Sequence, residues 1–157
     1  MREGTLLIRR LFAVCTIAVV GGCGGNDSRE VFAAEANEIC RRHSDQVRDL
    51  DQPQSYQQLL VYVDELAKLA RQQIDELRAV EPPPDDAREF DRMVTQMERT
   101  LALYPELKEA AVTGRPTEIQ RVLRNADASD ARAAKFGRNL GLDECVQGSA
   151  DDGATAP

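Results

Sequence analysis

His43 is the only histidine in the chain, and it stands three residues after Cys40. A Cys-x-x-His step on a helix can turn both side chains to one face, which suits a zinc ion if two more ligands arrive from elsewhere. Cys145, with Asp143 or Glu144 beside it, would complete such a set. The plainer reading puts the His43 ring among packed helices, on an apolar stripe. It is preferred, because cysteines outside the cytoplasm oxidise to disulfides more readily than they hold metal. Carboxylate pairs recur at Asp64-Glu65, Asp75-Glu76, Asp85-Asp86 and Asp143-Glu144. Solvation and helix dipoles account for them as wet surface, and glycosidase chemistry would need a cleft that the sequence does not reveal.

Other chemistries fail on counts. A di-iron bundle needs two Glu-x-x-His motifs. Covalent haem needs Cys-x-x-Cys-His. Phosphate loops and nucleophile elbows need glycine patterns that are missing here. A Ser-His-Asp triad would have to use His43, mid-helix and without a matching serine motif. No catalytic residue, metal or cofactor is therefore assigned, and the chain reads as a non-enzyme.

One feature invites a ligand. Ala67 and Ala70 lie midway along one helical segment, and Ala126, Ser129 and Ala133 midway along another. Met93 and Met97 sit in the middle of the segment between them. Small residues ordinarily mean close helix contact, which is the preferred reading. The alternative is a mainly apolar cavity lined by the adaptable Met93 and Met97, with His43 beside them.

These residues must be positioned by helices. The chain has 157 residues, seventeen of them Arg and three Lys, with aromatics at 4 % and no Trp. Ala, Leu, Arg, Glu and Gln favour helix over sheet. Apolar residues at three- and four-residue steps predict a first helix over 29–50, with Ser28 as its cap. Tyr56, Leu59, Val63, Leu66, Ala70, Ile74 and Leu77 predict a second over 55–80, with Asp64 and Lys68 as an i,i+4 pair. Pro84 is expected to open a third, kinked between Leu101 and Tyr104 where Pro105 removes a hydrogen bond. Pro116 opens a fourth, ended by Gly141 in the left-handed conformation with Leu142 as its apolar partner. Short turns between similar lengths argue for an all-α, up-down four-helix bundle over 29–146, with a three-layer helical array as the alternative. Residues 147–157 are expected to be disordered.

The first 22 residues differ from the rest. Arg2, Arg9 and Arg10 precede an uncharged run, 11–22, too short for a hydrocarbon core of about 30 Å. This is the layout of a secretory signal peptide. Val20-Gly21-Gly22-Cys23 resembles the bacterial lipobox, with Gly21 where Ala or Ser is usual. The resemblance implies that the Cys23 thiol receives palmitate-type lipid as diacylglycerol and that the bond before it is cut. Arg9-Arg10-Leu11-Phe12 also resembles a twin-arginine signal, but Ile8 departs from it and general secretion is preferred. Residues 23–28 would then be the lipidated Cys23 and a short linker.

Cleavage before Cys23 leaves 17 basic against 26 acidic groups, a balance of −9. Such a body is repelled by nucleic acid and by anionic headgroups. With Cys15 in the signal and Cys23 lipidated, Cys40 and Cys145 remain. Two thiols outside the cytoplasm most simply form one disulfide, closing a loop worth roughly 4.7 kcal/mol of chain entropy; reactive or metal-binding thiols are the alternative.

The chain resembles a group of small actinobacterial exported helical lipoproteins. The residues that carry the likeness are Ile39-Cys40, Glu81-Pro82-Pro83-Pro84 and Leu140-Gly141-Leu142-Asp143-Glu144-Cys145. The resemblance implies a helical fold and a disulfide, and no activity. The function expected is a cell-envelope lipoprotein, held on the outer face of the membrane through Cys23. It would bind an envelope protein partner or serve a structural role; the alternative is a carrier of a small apolar ligand in the bundle core.

Overall fold

A computed structural model describes residues 25–146. The expected signal peptide, Cys23 and the tail 147–157 lie outside the described residues. All regular structure among these residues is helical.

α1 spans Gly25–Arg48. It begins four residues earlier than expected, so residues 25–28 are helix and not linker, and Ser28 lies inside the helix and does not cap it. Asp27 in the first turn complements the positive end of the dipole and supports this earlier start. α2 spans Tyr56–Ala79. Ser55 is its N-cap, with Oγ accepting from the Gln58 amide at 3.3 Å. Gln58 Oε1 in turn accepts from the Gln54 amide at 2.7 Å, a variant of the capping box shifted by one residue. Asp64 does not pair with Lys68. It accepts from Lys108 across to the next rod, while Lys68 lies 3.7 Å from Glu65.

The third rod is two helices. α3 spans Ala87–Leu101 and α4 Tyr104–Val112. Pro84 stands in a turn ahead of α3, where the Pro83 carbonyl accepts from the Asp86 and Ala87 amides. The expected kink is a full break. Pro105 has no N–H to return to Leu101, and Ala102 and Leu103 close a turn before the Leu107 amide restarts the ladder on the Leu103 carbonyl. Gly114, at φ 63°, makes the next turn.

α5 spans Pro116–Leu140. Gly141 follows at φ 73°. The Leu142 amide donates to Gly137 O at 2.9 Å and the Gly141 amide to Arg138 O at 3.2 Å, the paired bonds of a Schellman motif. A single 3₁₀ turn, Asp143–Cys145, then runs back onto α1.

There Cys40 and Cys145 are joined, with Cα atoms 5.0 Å apart. Asn37 clasps the same turn from both sides. Its amide donates to Gly141 O at 3.0 Å, and its carbonyl oxygen accepts from the Glu144 amide at 3.0 Å. Nearby, Arg29 donates to Asn139 O at 3.1 Å and pairs with Asp86 at 3.2 Å.

The core sits at this end. Phe32, Ala36, Ile39 and Cys40 from α1 meet Ile74 and Leu77 from α2, Phe90, Met93 and Val94 from α3, and Leu140 and Leu142. The Phe32 and Phe90 rings meet edge to face, 5.0 Å apart. Gly137 lets α5 approach closely, for a Cβ there would stand 2.6 Å from Val146 Cγ1 and 3.4 Å from Met93 Sδ. At the other end packing is looser. Leu59, placed on the inward stripe by its spacing, is 38 % exposed, and Val61, Val112 and Leu123 are more so.

Candidate functional site

The largest interhelical contact is α3 on α5, and α1 packs on α2 and on the 3₁₀ turn but has little direct packing on α5. The turn and its disulfide stand between α1 and the end of α5. Beyond them the two helices part, and a cleft of about 540 Å³ opens. This is ample for a small organic molecule.

Its lining draws on four helices. His43, Ser44, Val47 and Arg48 come from the last turns of α1. Leu66, Leu69 and Ala70 of α2 form the apolar wall, with Gln73 of the same helix beside them; Tyr104 comes from the head of α4, and Asp130 from the middle of α5. A smaller hollow of about 450 Å³ lies under the α1–α2 loop, between Leu50, Pro53, Val61 and Tyr62.

His43 is 3 % exposed, and neither ring nitrogen has a hydrogen-bond partner among the described residues. Nε2 lies 3.3 Å from Glu76 Oε1, outside hydrogen-bonding geometry. Glu76 is itself held by Arg42. A buried ring with an unused nitrogen costs stability, so this one is a candidate contact for something else.

Asp130 is half-buried, and no Arg or Lys pairs with it among the described residues. Thr100 Oγ1 donates to its Oδ1 at 2.6 Å. Burial pushes its carboxyl above the ordinary aspartate range, with the charge of Asp127 adding to the shift and the Thr100 bond opposing it. Burial also raises the Tyr104 phenol, helped by the charge of Asp130 and by Tyr62, so the phenol stays protonated at neutral pH.

Of the three residues expected around a cavity, His43 lines the cleft and Met93 and Met97 do not. Met93 is buried in the core against Gly137, and Met97 packs on the same cluster. The small residues divide in the same way. Ser129, Ala133 and Gly137 are buried on α5, whereas Ala70 faces the cleft. The zinc alternative is overturned, since Cys40 and Cys145 are bonded to one another. No group of three metal-ligating side chains occurs among the described residues. Asp130 was missed, although a signal existed: it lies four residues after Ala126 and three before Ala133, at the edge of the inward stripe.

No described helix is long and apolar enough to cross a membrane. No protein-family model, curated protein or solved structure matches the chain.

Asp130→Asn is expected to stabilise the protein at neutral pH. A carboxyl whose pKa is raised by folding contributes fully below the aspartate range, and that contribution is lost as pH rises through the raised value. Asparagine has no such loss and can still accept from Thr100. Solvent screens a half-buried group, so the gain is under about 1 kcal/mol. Urea unfolding should give equal midpoints near about pH 3 and a higher midpoint for the variant at pH 7. A lower midpoint at pH 7 would contradict the assignment.

Proposed function

We propose that this chain is a cell-envelope lipoprotein, cut before Cys23 and held by lipid on the outer face of the membrane. Its up-down bundle is a non-enzymatic receptor or carrier for a small ligand. The observation that supports the ligand reading is the cleft beside the unpartnered, buried His43. The site differs from the apolar core cavity expected from Met93 and Met97, because Asp130, Tyr104, Ser44 and Gln73 give it polar character. A ligand there would carry both an apolar body and a polar group.

Native mass spectrometry of the protein purified from membranes tests this. A retained small molecule is expected, and Ala70→Phe, whose ring would fill the cleft, should release it while the fold persists by circular dichroism. Wild-type protein without any bound mass, or a bound mass indifferent to Ala70→Phe, would remove the ligand reading. A second reading, an envelope protein partner, is supported by Leu59, Val61, Val112 and Leu123, all exposed in the half away from the core.

A further inference from the structure

We propose that the cleft takes a small organic cation, a primary ammonium on an apolar body, with Asp130 as its acceptor. The inference rests on reading the cleft as a ligand site and goes further by naming the ligand's chemistry.

The argument is one of donors and acceptors. Asp130 uses one oxygen for Thr100 and carries a charge that no basic side chain offsets. That carboxylate calls for an N–H or O–H donor and for positive charge. An ammonium supplies three donors and a charge, with no acceptor to be left unpaired.

Other ligand charges fit less well. An anion would face Asp130, with Asp127 and Glu76 close behind. Arg48, the one basic group in the lining, is already bonded to Asp45. A neutral ligand would leave the Asp130 charge unbalanced. Val47, Leu66 and Leu69 require that the rest of the ligand be apolar. The excess of acidic groups over the whole chain also concentrates cations near the surface.

Three probes of one shape separate these cases: 2-phenylethylamine, 2-phenylethanol and phenylacetate. Each is titrated calorimetrically into the full chain at pH 7 and low salt. The amine is expected to bind at least tenfold more tightly than the alcohol, and the acid not measurably. Asp130→Asn, a variant expected to fold at least as well as the wild type, should weaken the amine about tenfold and the alcohol far less, because only the amine loses a charge partner. Equal affinities for amine and alcohol, or an amine indifferent to Asp130→Asn, would overturn the ammonium assignment while leaving the cleft as a ligand site. Silence from all three probes also overturns it, and the retained mass in native spectrometry then decides the cleft reading independently.

Discussion

Replacing Cys40 and Cys145 together by alanine is expected to lower folding stability by about 4 kcal/mol or more. The bond closes a loop across a sequence separation of 105, which spans α2 to α5 and most of the core. Freed of it, the unfolded chain gains conformations that the cross-linked one never had. The native state loses as well. The turn Asp143–Cys145 is then held to α1 chiefly by the two bonds of Asn37, each worth about 1 kcal/mol. Cys40 is fully buried, so alanine also leaves a small void against Ala36 and Ile39. Urea unfolding at neutral pH should show a lower midpoint together with a steeper dependence on denaturant, since an open unfolded chain exposes more surface than a looped one. Dithiothreitol should reproduce both changes in the wild type, slowly, because the buried sulfur is reached only through opening of the structure. An unchanged midpoint would mean that the cross-link contributes nothing to the fold.

How far the sequence reaches depends on which force decides a given residue. Ser55 and Gly141 were legible because capping is local: a hydroxyl before an apolar repeat and a glycine after one leave little choice. The disulfide was legible from a count of cysteines that set aside Cys15 and Cys23 for the expected signal and lipid site. The early start of α1 was not, for Gly25 and Asn26 are poor helix formers and only the turns that follow carry them. Pro105 marked a disturbance, but whether it bends a helix or divides it depends on packing on either side. The cleft was the least legible feature. Spacing put His43 inward correctly, yet it put Leu59 inward too, because a stripe says which side faces the neighbours and not how close they come. The cleft gathers residues of α1, α2, α4 and α5 that lie far apart in sequence, a long-range effect that no helical period encodes.

Cys23→Ser is expected to abolish lipid attachment completely. Serine offers no thiol to acylate, and the cut before residue 23 depends on that modification in proteins with the lipobox pattern. Cells fed an alkyne-tagged palmitate should label the wild-type chain and not the variant, and the variant should migrate as the longer precursor. Label retained on Cys23→Ser would refute the anchor. The energetics make the anchor decisive: each buried CH₂ contributes about 0.8 kcal/mol, so two acyl chains hold where one holds only marginally. The body offers no substitute, because an excess of acidic groups is repelled by anionic headgroups. Such an anchor would also fix what the cleft can meet. α1 begins two positions after Cys23, and the eighteen helical steps from Gly25 to His43 rise about 27 Å. If tethered so, the first turns of α1 would stand at the membrane and the cleft toward the other end of that helix, open to solutes from the aqueous side and away from lipid tails that would otherwise compete for an apolar site.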